Sequence, residues 1–370
     1  MNAAETLASE SRTNWLSWLR RELAPFPGRD ATTLRLVAGV VLVTIISMAL
    51  QVPEAPLSAY MVFFVTKANR ALTTLAGILL MLGATVGIAA SLFLYQYTFD
   101  YPQLRIPVMA TMVFVGMYLS RAFVIGPLGF AIGFVVAMTQ SVAETVPDAE
   151  SLVRALLWLW VIVVYPIALT VVISHIAAPV AKAPARAEAK KTLFKADAFT
   201  NPAHVRFALK VTLAAMTCYI LYTGVDWPGI HTAFITCCFI ALESTGATLR
   251  KGWLRLIGCL TGGSLGFLAI LYLVPHMESI ALLVLLTGAV SAFAGWVAAG
   301  SERISYAGLQ IAFAFFMCIF QGFAPATDFD TIRDRLVGII LGILMTSFVF
   351  RYIWPEREVA IQTVQTLVRG

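Results

Sequence analysis

In this sequence of 370 residues, Arg121 and Arg303 are the side chains best placed to do chemistry. A guanidinium recognises a carboxylate through two parallel hydrogen bonds and stacks on aromatic rings. Each of the two has a tyrosine three residues away, Tyr118 before Arg121 and Tyr306 after Arg303. As a pair they would draw an anion to the inner mouth of a pathway. The plainer reading is that both snorkel to lipid headgroups and fix orientation. Glu243, Glu302 and His231 are the candidates for proton exchange. Burial or a nearby negative group raises a carboxyl's pKa toward neutrality, and an unperturbed imidazole titrates near about pH 6.5. Arg303 beside Glu302 opposes that shift, which puts Glu243 ahead. Glu243 also reads as the boundary of a span, His231 as an interfacial histidine with its partners, and Asp334 with Arg335 as a local surface ion pair.

The elements that must hold these groups are apolar. Hydrophobic residues make up 59% of the chain and charged ones 12%, with mean hydropathy +0.84. That leaves too little polar surface to cover a soluble globule. Runs near about 20 residues match a hydrocarbon core of about 30 Å at about 1.5 Å per residue. The fold class expected is an all-α integral membrane protein of about twelve transmembrane helices. The runs predict spans at 34–51, 55–66, 72–98, 104–120, 122–140 and 153–176, then at 206–224, 229–243, 253–274, 279–299, 303–322 and 332–354. The polar Ser120-Arg121 step divides what could be read as one long segment into a tight hairpin.

With an even number of spans both termini share one face. That face carries every Lys and Arg except Arg105, Arg154, Arg333 and Arg335. By the positive-inside rule it is cytoplasmic, so the net charge of +6 reads as a topology signal and not as a nucleic-acid patch. Residues 12–24 combine Trp15 and Trp18 with Arg20 and Arg21 and read as an interfacial helix, not a cleavable signal. The five cysteines, Cys218, Cys237, Cys238, Cys259 and Cys318, fall inside spans without zinc-site spacing and read as small packing residues. No phosphate-binding glycine loop, metal cluster or nucleophile–base pair is present in the sequence, so no cofactor, no metal and no enzymatic activity are expected.

An internal repeat organises the chain as two parallel six-helix pseudo-repeats. Gly83 and Gly87 pair with Gly262 and Gly266, Arg121 with Arg303, Gln140 with Gln321, and Arg154 with Arg335. The domains expected are a cytoplasmic segment 1–33, a membrane half 34–176, a linker 177–205, a second half 206–355 and a tail 356–370. Gly258, Gly262 and Gly266 recur every four residues and Gly83 with Gly87 does the same, a small face for close helix packing in lipid. The second and eighth spans are short and flanked by Pro53-Glu54-Ala55-Pro56 and by Asp226-Trp227-Pro228-Gly229. Paired short helices in matching positions point to a transport site, or simply to helices buried in a bundle.

Three stretches carry a family resemblance: Asp197-Ala-Phe-Thr-Asn-Pro202, Gly224-Val-Asp-Trp-Pro-Gly-Ile-His231 and Ser301-Glu-Arg-Ile-Ser-Tyr306. Arg333-Asp-Arg-Leu-Val-Gly-Ile-Ile-Leu-Gly342 and Trp354-Pro355-Glu356 add to it. The chain resembles the fusaric acid resistance and aromatic acid exporter family over both membrane halves. The resemblance implies an efflux subunit of the bacterial inner membrane that exports aromatic acids or related drugs, with proton coupling expected. It also implies a periplasmic adaptor protein and an outer-membrane channel as partners, and it is compatible with a homo-oligomer. Family members carry sizeable cytoplasmic domains after the sixth and twelfth spans, whereas a short linker follows the sixth here. The alternative is a passive anion channel, because the superfamily also looks related to plant aluminium-activated malate channels.

Overall fold

The computed structural model describes residues 17–142, 146, 148–176, 193–242, 244–277, 279–321, 324–325 and 330–353. Residues 12–16 of the expected interfacial segment, most of the linker, Glu243, Trp354-Pro355-Glu356 and the tail lie outside the described residues. Among the described residues, apart from a two-residue pairing of Phe320–Gln321 with Ala324–Pro325 and a single bridge between Phe123 and Phe194, the regular structure is helical. In lipid a helix satisfies its own backbone, which apolar runs of this length require.

The helices of the first half are α1 (Arg29–Ala49), α2 (Ala55–Val65), α3 (Arg70–Thr98), α4 (Pro102–Ala122), α5 (Gly126–Val142) and α6 (Ala149–Ile176). Those of the second half are α7 (Pro202–Gly224), α8 (Thr232–Ile240, entered through a 3-10 turn at Pro228–His231), α9 (Thr245–Tyr272), α10 (Ile280–Ala298), α11 (Ser305–Ile319) and α12 (Asp330–Phe348). Eight of these segments are long and apolar enough to cross a membrane, and the remaining four are shorter apolar helices. Leu75, Ile78, Leu82 and Val86 keep an exposed stripe along α3, at helical spacing and suited to lipid contact.

The chain divides into two compact units, and each draws helices from both halves. In unit 1, α1 and α2 pack with α10 and α11. Leu36, Val40 and Val43 meet Val62, Phe63, Ala294, Phe315 and Phe316 in its core. In unit 2, the α4–α5 hairpin packs with α7 and α8. Met109 and Val113 meet Val211, Ala215, Tyr219, Phe234 and Phe350 there. The long helices α3, α6 and α9 contribute residues to both units, changing over after Ala84, Val153 and Trp253.

The short helices α2 and α8 are buried along most of their length. Eleven residues of α2 reach only about 16 Å, well short of a bilayer core. Their flanks, by contrast, are largely exposed, with Gln51, Glu54, Lys67 and Ala68 around α2 and Val225, Asp226 and Pro228 before α8.

Matching local devices recur in the two halves. The ends of α1 and α7 close alike: Val52 N donates to Ser47 O and Trp227 N to Tyr222 O, each at 2.9 Å. Gln51 and Asp226 stand at φ 50° and 51°, a left-handed conformation that costs a non-glycine residue of order 1 kcal/mol. At the starts of α3 and α9, Thr73 Oγ1 accepts from Lys67 N and Thr248 Oγ1 from Leu242 N, each at 3.0 Å. With these clasps as anchors Gly83 aligns with Gly258 and Gly87 with Gly262. That is one helical turn from the pairing read in the sequence. The α9–α10 connection is the longer of the two, 273–279 against 99–101, and it absorbs the difference.

Candidate functional site

Unit 2 gathers cations and rings around the end of α4. Arg121 sits in the last turn of α4 with its guanidinium 5.0 Å over the Phe207 ring. Phe207 meets Phe350 edge-on at 6.2 Å, and the Lys210 ammonium lies 5.0 Å over the Phe350 ring. Two cations and two rings thus form one cluster, with Lys210 buried a little over two turns into α7. The segment before α7 holds the hairpin in place. Lys195 N donates to Ala122 O, Val124 N to Leu193 O, and the Tyr118 hydroxyl to Ala198 O at 2.8 Å. Tyr118 therefore serves this strap.

The strap carries the Asp197–Pro202 motif, in which Asp197 and Asn201 organise the start of α7. Asn201 caps α7 by accepting from Ala203 N at 3.0 Å, and Pro202 opens the first turn. Asp197 accepts from the Asn201 amide at 3.1 Å and from His204 Nε2 at 3.3 Å. The Asn201 hydrogen bond holds the Asp197 carboxyl below the usual aspartate range, and His204 adds to this. In the neighbouring motif, Gly229 is closely approached by Asp334: a Cβ there would lie 2.8 Å from the carboxyl carbon. His231 is exposed, with Nδ1 3.0 Å from Pro228 O. Asp334 makes a local surface ion pair with Arg333 at 2.9 Å.

Unit 1 holds the other candidates. Arg303 is exposed in the α10–α11 connection and forms a loose ion pair with Glu22 at 3.9 Å. Ser301 donates to the other Glu22 oxygen at 2.5 Å. Glu302 is exposed in the same connection. The Tyr306 hydroxyl accepts from Arg255 Nη1 at 3.0 Å. The structure thus brings Arg121 together with Phe207 and Tyr306 together with Arg255. Arg121 lies inside a helix and Arg303 in a connection, so the two do not occupy equivalent positions. Glu243 falls outside the described residues.

The glycines mark close approach. On α9 a Cβ at Gly258 would lie 2.6 Å from Ala307 O and one at Gly266 2.5 Å from the Cys318 Cβ, while Gly262 abuts Ile311 O. On α3 a Cβ at Gly87 would lie 2.9 Å from Val135, and Gly83 is buried. The five cysteines are buried thiols; Cys218 and Cys237 have their sulfurs 3.6 Å apart.

Lys210 and Arg255 are not among the candidates expected from the sequence, where both count only toward orientation. The signal was available. Both lie turns inside apolar helices, where an ionisable residue marks function more often than not.

An all-helical chain with many bilayer-length apolar helices, a lipid-suited stripe and cations buried among rings is a multi-pass membrane protein. Residues 214–349 match the family described as fusaric acid resistance protein-like. Over 171 residues the chain is 38% identical to the multidrug resistance protein MdtO of Escherichia coli (strain K12) and, equally, to that of Shigella flexneri. The matched stretch is 46% of this chain and 25% of each relative, so the similarity spans about a quarter of the relatives' length. Both findings support the resemblance to the fusaric acid resistance family carried by the motifs. No solved structure matches the chain.

Proposed function

We propose that this chain is the membrane part of an inner-membrane efflux transporter that exports aromatic acids or related toxic compounds in exchange for protons. The observation that carries this reading is the Arg121–Phe207–Phe350–Lys210 cluster. Guanidinium and ammonium groups answer a carboxylate, and the phenyl rings answer a flat apolar body. The match to multidrug resistance proteins supports the same reading.

In this account the twelve helices form two six-helix repeats with both termini cytoplasmic. The matched helix ends and threonine clasps support the repeat, and so does the common recipe of the units: the first two helices of one repeat pack with the fourth and fifth of the other. The connections that would face the periplasm, such as 50–54 and 225–227, are too short to cross it. Export therefore needs an adaptor protein and an outer-membrane channel. Everted membrane vesicles that contain the chain should accumulate labelled benzoate when energised, and vesicles without it should not. The variant carrying Arg121→Lys and Arg303→Lys keeps the charge and loses the fork. Its insertion should stay normal while accumulation falls; unchanged accumulation would assign both arginines to orientation alone, and absence of accumulation by the unaltered chain would contradict the exporter.

A further inference from the structure

Arg255 sits nearly three turns into α9, about 15 Å from the helix start, and only 2% of its surface is exposed. Its guanidinium donates to the Tyr306 hydroxyl at 3.0 Å. Tyr60 of α2 is within electrostatic reach of it and stacks on Phe313 at 4.2 Å between centroids. Tyr306, Gln310 and Phe313 follow one another at helical spacing along one face of α11.

Gln310 gives the cluster its meaning. It is 0% exposed, and neither Nε2 nor Oε1 has a hydrogen-bond partner among the described residues. Its Cβ would stand 2.7 Å from a Cβ placed on Gly258, so it lies directly against α9, one turn deeper than Arg255. Native proteins rarely bury a carboxamide with both ends unsatisfied, because the desolvation is not recovered. Such a group is stable when a partner arrives from outside the fold.

We infer that Arg255, Tyr306 and Gln310 form an intramembrane binding site for a small aromatic carboxylate that also carries a hydrogen-bond donor. The inference rests on the exporter reading and names where in unit 1 the transported acid is held. The carboxylate takes Arg255 and the Tyr306 hydroxyl, which donates through its proton while accepting from Arg255. Gln310 Nε2 donates to the ligand and Oε1 accepts the ligand's own O–H. Tyr60 and Phe313 supply ring faces. The site is closed in this structure, so entry requires α9 and α11 to part along Gly258, Gly262 and Gly266. The bare helix faces at those glycines leave few side chains to unpack.

The test is equilibrium binding of labelled benzoate and 3-hydroxybenzoate to the purified full chain in nanodiscs, with thermal unfolding of every variant. The unaltered protein should bind 3-hydroxybenzoate about tenfold more tightly than benzoate, the effect of one hydrogen bond to an otherwise unpaired buried group. Gln310→Leu should abolish that preference without lowering thermal stability, because it removes an unpaired amide and keeps the volume. Arg255→Lys should weaken both ligands by about tenfold through loss of the fork. Tyr306→Phe, which keeps the ring, should weaken both as well and stands in if Arg255→Lys does not fold. A preference that survives Gln310→Leu, or unchanged affinities in Tyr306→Phe, would overturn the site. Export by everted vesicles with binding unaffected in all three variants would reject the site and leave the exporter reading standing. The expected binding pattern without export by the unaltered chain would reject the exporter reading alone.

Discussion

Within unit 1, Arg29 ties the N-terminal segment to the end of α10. Its Nε and Nη2 reach Trp296 O at 2.9 and 2.6 Å, and its Nη1 reaches Glu22 O and Ala24 O at 2.9 and 2.8 Å. The Trp296 indole returns a bond to Leu23 O at 2.9 Å, with the guanidinium 4.6 Å from its ring. A lysine has one charged centre and cannot bridge these carbonyls in a plane. Arg29→Lys is expected to cost about 1–3 kcal/mol and to release the segment; limited proteolysis near residue 22 should accelerate. Asp197 makes a pH-dependent case. Its folded pKa is lowered, chiefly by Asn201, so its contribution is complete above the ordinary aspartate value of about 3.9. That contribution is lost as pH falls through the lowered folded value. Amide exchange at the start of α7 should quicken on that acid limb, and Asp197→Asn should flatten the response. Among the candidate residues, the charges at helix ends stand out in the sequence because they interrupt apolar runs. Lys210 and Arg255 interrupt apolar runs as well, but a count of basic residues by face treats a buried cation and a loop cation alike and passes over them.

Helix–helix approach at glycine is the element-scale feature with the sharpest consequence. A Cβ at Gly133 would lie 2.5 Å from Gly116 Cα and equally close to Met112 O, inside the α4–α5 hairpin. Both obstacles are backbone, so side-chain rotation cannot relieve them. Gly133→Ala is expected to cost at least the about 1–3 kcal/mol typical of overpacking, read as a lower melting temperature in detergent. Gly224, with nothing within 4 Å of its Cβ position, should accept Ala within about 0.5 kcal/mol. The helices themselves were readable from the sequence, because apolar runs of bilayer length admit no other structure. A break between two helices was readable here too, but not its place: Ser120 and Arg121 close the last turn of α4, and the turn falls at 123–125 before α5 begins at Gly126. The matching helix ends were not readable: Gln51 and Asp226 share a left-handed conformation, and Thr73 and Thr248 clasp the starts of α3 and α9 alike, none of which apolar periodicity reports.

At the scale of the whole molecule, the packing partners of each half could not be seen in the sequence at all. Each unit combines helices from both halves, whereas hydropathy reports only that a face avoids water and never which face covers it. Orientation is a separate expectation from the basic residues. With both termini cytoplasmic, a cysteine at Asp100 should react with an impermeant maleimide added to intact cells, and one at Thr200 should not. The reverse pattern would invert the topology. The native thiols are buried and should stay silent. The central claim, that the chain drives aromatic acids outward at the expense of protons, is tested most directly in proteoliposomes holding only this protein. Labelled benzoate flux would be measured with and without an imposed pH gradient, at constant membrane potential and corrected for protein-free liposomes. The account expects accumulation against the benzoate gradient when protons are supplied on the opposite face, and none when the gradient is collapsed. Rapid downhill flux that never exceeds equilibrium and ignores the pH gradient would contradict it and identify a passive anion channel.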